Sequence, residues 1–328
     1  MVAHHRLKTQ QRGIALITAI VIVAMASIAA VAMTHSLQLN IRRTGNIQAA
    51  DQAYYYTLGS EAWSRGMLIR DLNDDEGKKY DGLEENWAQE LPPTPVEGGE
   101  VQALTTDLQG RFNLNNLYLE AEAEEETKNQ VSVQLAIFKR MLLALELPES
   151  IAQATKDWLD GDNKTSYPDG AEDIEYLSQD PPYRTANGFM ASITELRLIK
   201  EMDQESYEKL APHVIALPVK SAINVNTADQ IVLQSLISDL SEADAEQLIS
   251  EREENPFKEP ASFIARVREL LDENKVKSED IEPLISVDSH FFQLETVVRM
   301  ENNSQRLVSR LYKGSKDVVV LSRTIGVY

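Results

Sequence analysis

The residues that decide the architecture stand at the start of the chain, where MVAHHRLKTQQRG (1–13) is followed by IALITAIVIVAMASIAAVAM (14–33). The second stretch runs for 20 residues without a charge. At 1.5 Å per residue, a helix of that length matches the roughly 30 Å hydrocarbon core of a bilayer. Arg6, Lys8 and Arg12 precede it, and an acidic body follows it. This asymmetry predicts one membrane-spanning helix, with the leader in the cytoplasm and the body on the other side.

Two other interpretations of this segment stay open from the sequence. A cleaved secretory signal has the same order of basic, apolar and small residues, and Ala30-Val31-Ala32 would be its cleavage site. A plain uncleaved anchor would leave Met1 as the first residue. The length of the apolar run favours a retained helix, because the apolar core of a secretory signal has about 7–15 residues.

The apolar periodicity continues beyond the membrane segment, mostly at steps of three or four residues, and predicts one helix over residues 14–70. Such a helix is on the order of 85 Å long. Its second half must therefore project from the membrane and pack on the folded body, and a local break is expected near Gly45. The periodic positions are Leu37, Ile41, Ile47, Ala50, Tyr54, Leu58, Ala62 and Ile69.

The rest of the chain alternates between strand-like and helix-like segments. A Pro- and Gly-rich connector up to residue 100 precedes a predicted β-hairpin whose turn is Asp107–Gly110. A block of short amphipathic helices follows, and β-rich segments end the chain. We therefore predict an α+β fold: a long N-terminal pilin-like helix, a small antiparallel sheet and a large inserted all-α domain. The predicted parts are a leader (1–13), the helix (14–70), the first part of the sheet domain (71–130), the inserted helical domain (131–287) and the last strands (288–328).

Composition excludes several functional classes. The chain has 32 Lys and Arg against 52 Asp and Glu, a formal charge of -20 that repels nucleic-acid backbones. It has no cysteine, which excludes disulfides, thiolate metal sites and cysteine nucleophiles. The sequence also lacks a GxSxG elbow, a P-loop, an HExxH motif and a dinucleotide fingerprint, so we predict that the protein is not an enzyme.

The junction between leader and apolar run resembles a type IV prepilin leader, because Gly13 is followed at once by Ile14. The resemblance implies that a prepilin peptidase cuts after Gly13 and that the mature chain begins at Ile14. Thr18 then occupies the fifth mature position, where most subunits of that family carry Glu. In the family, this Glu pairs with the N-terminal amine of the preceding subunit, so its loss fits a subunit that has no predecessor. A chance match to the leader pattern is the alternative.

Together with the leader, four segments of the body resemble the K minor pseudopilin of type II secretion systems. The resemblance implies a single-pass inner-membrane protein that faces the periplasm and forms a tip complex with the I and J minor pseudopilins. The H subunit and the major G subunits connect to that complex, and the pseudopilus drives folded proteins through an outer-membrane secretin. The segments are DLQGRFNLNNL (107–117), WLDGDNKTSYPDGAEDIEYLSQDPPYRTANG (158–188), SITELRLI (192–199) and SAINVNTAD (221–229).

An acidic segment over residues 157–180 suggests a metal site. It holds eight acidic residues against one base, Lys164. Oxygen ligands without His or Cys favour Ca²⁺, although Lys164 stands where an EF-hand would need a ligand. The resemblance implies calcium in the helical domain, and a solvated acidic loop is the alternative. The expected carboxylate ligands are Asp160, Asp162, Glu172 and Asp173.

One segment of the predicted helical domain offers a rival function. Residues 221–236, SAINVNTADQIVLQSL, resemble the opening of a helix-hairpin-helix module, so a membrane-anchored DNA-binding or DNA-uptake protein is the alternative. In such modules, glycines of the hairpin hold phosphate, but here Asp239 and Ser241 stand at about those positions. Residues 221–290 contain 16 acids and 6 bases, which also repels DNA. We therefore expect no nucleic-acid partner and interpret residues 221–287 as a packing scaffold.

Overall fold

A long N-terminal helix dominates the computed structural model, which describes residues 11–73, 80–271, 281–301 and 303–327. Most of the predicted leader lies outside the described residues. Helix α1 (Gln11–Asn73) is continuous over 63 residues. It passes through Gly45 without the break that we expected, because one glycine costs a long helix only about 1 kcal/mol.

The face of α1 that contacts the body is not the periodic apolar face of the sequence. The buried side chains of α1 lie one position away from the predicted Tyr54 and Leu58, and three of them are polar. Polar groups are tolerated there because the sheet offers partners: the Ser64 hydroxyl lies 2.6 Å from the Thr105 hydroxyl. The buried residues are Ala53, Thr57, Glu61, Ser64 and Leu68.

A five-stranded antiparallel sheet packs against the second half of α1, in the order β1-β2-β7-β8-β9. The early strand β2 pairs with the late strand β7, from Gly99 opposite Met300 to Asp107 opposite Phe292. This pairing across the helical block confirms the predicted α+β fold. The strands are β1 (Leu91–Val96), β2 (Gly99–Asp107), β7 (Phe291–Met300), β8 (Asn303–Lys313) and β9 (Val318–Val327).

The predicted hairpin at Asp107–Gly110 is wrong. Strand β2 forms its hairpin with β1, through a turn in which Gly98 has a φ of 82°. Strand β1 lies in the segment that we interpreted as a connector, because prolines are tolerated only on an edge strand and β1 is one. After Gly110 the chain enters β3 (Phe112–Asn113), which pairs in parallel with β4 (Val214–Ile215).

The inserted domain is built from short helices around one large core. Its first helix begins at Glu125, so the boundary predicted at residue 131 falls inside that helix. A second parallel pair, β5 (Ile223–Asn224) with β6 (Ile285–Ser286), closes the insertion. The helices are α2 (Glu125–Ala144), α3 (Ser150–Leu159), α4 (Asp173–Tyr176), α5 (Gln204–Leu210), α6 (Gln230–Leu236), α7 (Glu242–Glu254) and α8 (Pro260–Leu270), with 3-10 helices at Leu114–Leu117, Ile193–Leu198, Ala211–His213 and Glu282–Leu284.

A buried hydrogen-bond network around Asp107 joins the sheet to the inserted domain. Its Oδ2 accepts from Asn224 Nδ2 (3.1 Å), Ser289 Oγ (2.7 Å) and Thr227 Oγ1 (2.5 Å). Its Oδ1 accepts from the Gln109 amide at 2.8 Å. Burial raises the pKa of Asp107, and these bonds oppose that rise. The network fixes the orientation of the insertion at the point where β2 ends.

Candidate functional site

The first candidate site is the apolar part of α1. By length and composition this helix can cross a membrane; its most apolar 18-residue window has a mean hydropathy of 2.8, and none of that window is buried. Thr18 lies within it, and its hydroxyl bonds the carbonyls of Ile14 (3.1 Å) and Ala15 (3.0 Å). The threonine thus satisfies its polar group within its own helix, whereas a glutamate at this position would need a partner from outside.

The second candidate site is the acidic group of the inserted domain. Asp160 follows the last turn of α3, Asp162 lies in the next turn, and Glu172 is the N-cap residue of α4. One carboxylate oxygen from each of these three residues lies within 4.8 Å of the others. Asp160 and Glu172 are buried, and Asp162 is half-buried. The structure therefore brings together three of the four predicted ligands.

The charge of this group is poorly compensated. Both carboxylate oxygens of Glu172 are buried, and no described residue donates a hydrogen bond to them. Burial, followed by the charges of Asp160, Asp157 and Asp162, raises the pKa of Glu172 to about 7. Burial also raises the pKa of Asp160, although Lys156 Nζ contacts its Oδ2 at 2.6 Å. Several carboxylates that share one lysine are the arrangement that a divalent cation stabilises.

Asp173 does not belong to this group, which corrects the predicted ligand set. Its Oδ1 accepts hydrogen bonds from the amide and the hydroxyl of Thr185, each at 3.1 Å. Its Oδ2 forms an ion pair with Arg184 at 3.2 Å. Asp173 therefore fixes the loop after α4 instead of facing Glu172. Adjacent residues of a helix point in different directions, and choosing by closeness in sequence overlooked this.

Sequence reasoning also passed over Asp157. It lies on α3 three residues before Asp160, and its Oδ1 is buried without a hydrogen-bond donor among the described residues. Its Oδ2 accepts from the Ser166 amide at 2.8 Å, and its charge contributes to the raised pKa of Glu172. The spacing of three residues on a helix could have identified it, because such residues share a face.

A second group of carboxylates, on the sheet side of the molecule, has its own cation. Asp71, Asp81 and Glu85 approach one another within 4.8 Å. Lys313 Nζ contacts Asp81 and also Asp71, the latter at 3.2 Å. Burial raises the pKa of Asp81 to about 7, and the Lys313 charge opposes the rise. This group is a structural ion-pair cluster, and the contrast makes the group around Glu172 the better metal candidate.

The NLNN motif of segment 107–117 has a structural role that the sequence did not suggest. Its three buried asparagines hold residues 217–221 by side-chain hydrogen bonds to the backbone. These bonds replace a strand ladder, so an irregular loop is fixed in one conformation. Asn113 bonds Leu217 N (3.1 Å) and Val219 O (2.8 Å), Asn115 bonds Leu217 O (2.7 Å), and Asn116 bonds Ser221 N (3.0 Å) and Ser221 O (2.9 Å).

Comparison with known proteins decides the family. Two regions, residues 110–219 and 223–282, match family models described as type II secretion system (T2SS), protein K. A type II secretion system protein K from Pseudomonas aeruginosa is 32% identical over 325 residues, covering 96% of this chain and 93% of the relative. The chain belongs to the type II secretion system protein K family. Residues 221–287, which suggested a DNA-binding module, coincide with the second matched region of this family.

Other protein K relatives and a solved structure agree. The protein from Klebsiella pneumoniae is 31% identical, covering 97% of this chain and 98% of the relative; the one from Aeromonas hydrophila is 29% identical, covering 96% and 97%. The fold resembles a chain of the GspK-GspI-GspJ complex from the enterotoxigenic Escherichia coli type 2 secretion system, with a TM-score of 0.73 and 26% identity. That match covers 87% of this chain and 99% of the other. Protein K is a minor pseudopilin, a structural component and not an enzyme.

Proposed function

We propose that this protein is the minor pseudopilin at the tip of the type II secretion pseudopilus, where it initiates or caps assembly for the export of folded proteins. The observation that carries the proposal is Thr18, whose hydroxyl is satisfied inside its own helix. A subunit below another in the fibre would be expected to carry a carboxylate here for the amine of its predecessor. A first subunit needs none.

The partners follow from the same position. The solved relative was crystallised with GspI and GspJ. We propose that homologous I and J subunits pack on α1 and the sheet, and that the H and G subunits continue the fibre. A prepilin peptidase would cut after Gly13 to expose Ile14. The apolar segment would then anchor the protein in the inner membrane, with the body in the periplasm.

A bound Ca²⁺ would complete the inserted domain. Asp160, Asp162 and Glu172 supply hard oxygen donors, and the unpartnered oxygens of Glu172 fit a cation with a coordination number of six to eight. Asp157 adds negative charge beside them. When bound, the ion supplies countercharge and crosslinks the end of α3 to the start of α4. In a chain without cysteine, such a site can replace a disulfide as the constraint on a loop with few apolar side chains.

The experiment that tests the tip position is localisation of this subunit in assembled pseudopili by electron microscopy, with a gold-labelled tag at the exposed Lys316 turn. We expect one label at one end of each fibre. A major G subunit that carries the same tag provides the control, and its labels should repeat along the fibre. Labels of this subunit at regular intervals along the fibre would contradict the tip position, even if secretion requires the protein.

A further inference from the structure

A cleft opens where the sheet meets the inserted domain. It has a volume of about 310 Å³ and lies between the end of β2, the loop before β1 and the start of α6. Leu83 and Leu104 present partly exposed apolar side chains there, and Arg111 and Pro212 belong to the same wall. The cleft is remote from the carboxylate group of Glu172, since it shares none of its lining residues.

One wall of the cleft is an open sheet edge. Strand β1 covers β2 only from Gly99 to Ala103. The Leu108 amide donates to the Phe291 carbonyl at 2.9 Å, so bonds to β7 alternate along β2 and the backbone groups of Thr105 and Asp107 point away from β7. No described residue forms a hydrogen bond with these backbone N–H and C=O groups, and both residues line the cleft. An uncovered stretch of this kind is a template for one more strand.

Arg111 adds a polar group without a partner. Its half-buried guanidinium lines the cleft and forms no hydrogen bond or ion pair with any described residue. Asp229 and Asp107 lie close enough for their charges to act on it, but both are engaged elsewhere. The two carboxylate oxygens of Asp229 contact His213 Nδ1 (2.7 Å) and the Val232 amide (2.9 Å). The guanidinium donors are therefore available, while its charge is already balanced.

Charge balance indicates the chemistry of the ligand. A carboxylate entering the cleft would meet Arg111 together with Asp229 and Asp107, so attraction and repulsion would largely cancel. A neutral carbonyl group would accept from Arg111 without that repulsion. Backbone carbonyls, strand-type hydrogen bonds and apolar contacts with Leu83 and Leu104 are together offered by an extended peptide with uncharged side chains.

The position of the cleft indicates the source of the peptide. The Thr105 side chain contacts Ser64 of α1, which lies 31 residues beyond Met33, the end of the apolar segment. At the helical rise this is about 47 Å from the membrane segment. Subunits that follow a tip subunit in the fibre lie on its membrane side, whereas a protein about to be exported meets the far side.

We infer that the cleft between β2 and the inserted domain binds an extended, uncharged segment of the exported protein by strand addition to Thr105 and Asp107, with Arg111 donating to a backbone carbonyl. This inference rests on the proposed tip position. It assigns Arg111 a role in ligand binding rather than in folding, because the guanidinium stabilises no described element.

The absence of cysteine allows a site-specific test in the full chain. Leu104→Cys carries a benzophenone maleimide at the rim of the cleft, and Leu143→Cys, on the exposed face of α2, serves as the matched control. Both are expressed in secreting cells with the complete fibre, illuminated, and analysed by mass spectrometry. We expect the Leu104→Cys probe, and not the control, to attach to one contiguous uncharged segment of the exported protein. Arg111→Leu should lower the yield about tenfold, the effect of losing one hydrogen bond to a charged group, and Arg111→Gln should restore part of it.

Each other outcome overturns the inference. Attachment of the probe to an I or J homologue would show that the cleft is a fibre contact, and no attachment in secreting cells would show that it is not a binding site. Equal yields with Arg111 and Arg111→Leu would remove the assigned hydrogen bond. If Arg111→Leu lowers the melting temperature, Leu104→Glu replaces it, with attachment monitored from a Leu83→Cys probe, because a charge at the rim should exclude the same segment. The electron-microscopy label separates the two proposals: a tip label without attachment contradicts only this inference.

Discussion

Glu172 and Glu61 are both buried glutamates, but only Glu61 has a cation beside it. Glu61 lies on the sheet-facing side of α1 and accepts two hydrogen bonds from Arg323, at 2.7 and 2.8 Å, and a third from Ser309 at 2.6 Å. Glu172 is 2% exposed and has no donor among the described residues. The same residue type therefore forms a finished structural contact at one position and a vacancy for a cation at the other.

Removing the carboxylate of Glu172 should abolish stabilisation by calcium. We expect Ca²⁺ to raise the melting temperature of the full chain in nanodiscs relative to EGTA, by the equivalent of about 2.7 kcal/mol when calcium is at 100 times its Kd. In Glu172→Gln most of this rise should disappear, while the EGTA value should stay level or increase, because charge repulsion is relieved. Glu175→Gln, an exposed acid of the same segment, is the control and should keep the rise. Equal melting temperatures of the unaltered protein in Ca²⁺ and EGTA would refute the metal site.

The Glu61 contact should make stability depend on pH in acid. Burial raises the pKa of Glu61, but the bonds from Arg323 and Ser309 and the Arg323 charge lower it further, so it ends below 4.5. The carboxylate therefore stabilises the fold above about pH 4.5, and this contribution is lost as the pH falls through the lowered pKa. Glu61→Gln should cost about 1.5–3 kcal/mol at pH 7 by denaturant unfolding, and the difference from the parent should shrink below pH 4.5.

A surface pair on the same sheet provides the control for Glu61. Glu295 and Arg306 are 2.6 Å apart, with about a third of each side chain exposed. Glu295→Gln should cost less than about 1 kcal/mol, because solvent screens this pair. If both variants lose the same stability, burial of Glu61 is not the cause of its effect.

At the scale of elements, regular periodicity predicted well and irregular pairing did not. The residues of α1, α2 and β7 to β9 repeat at helix or strand spacing, and these elements lie where the sequence places them. Strand β1 was missed because its prolines disfavour a strand everywhere except at an edge, and edge position depends on the whole sheet. The short parallel pairs β3–β4 and β5–β6 join residues about 60 to 100 positions apart, which local patterns do not reveal.

The candidate site was predicted to the same extent. Composition alone located the acidic segment, and three of the four predicted carboxylates meet in space. The direction of each side chain on a turn of helix was not available from composition, which explains the wrong choice of Asp173 over Asp157. Arg111 could not be recognised, because its significance is the absence of a partner and only the folded structure shows that.

Two glycines on different elements should respond in opposite directions to alanine. A Cβ at Gly110 would meet Thr227 Oγ1 at 2.6 Å and Thr227 O at 2.8 Å, so Gly110→Ala must push β2 from the inserted domain and should cost about 1–3 kcal/mol. Gly59 lies inside α1 with nothing within 4 Å of an added Cβ, and Gly59→Ala should add about 0.5–1 kcal/mol. Denaturant unfolding of the two variants measures both effects. A stabilising Gly110→Ala would show that the junction between sheet and insertion is not closely packed.

The whole molecule is an extended helix that carries its folded body only on its second half. Side chains of α1 are exposed from Ile14 to Arg43, and the first buried one is Ala53, about 59 Å from Ile14 along the helix. The body adds a large helical insertion to the far end of the sheet, held by Asp107 and the two parallel strand pairs. A fibre subunit with this shape leaves its apolar helix available to neighbours on the membrane side.

That arrangement requires the apolar segment to remain on the mature protein, and the N-terminus decides whether it does. We expect mass spectrometry of the protein purified from membranes to find Ile14 as the first residue. Gly13→Val should block processing and leave the leader in place. Ala32→Leu, which disrupts the small-residue motif of the alternative secretory signal, should leave Ile14 as the N-terminus. If Ala32→Leu blocks processing instead, or the mature chain begins at Met33, the helix is removed in the cell and the subunit cannot occupy a fibre through it.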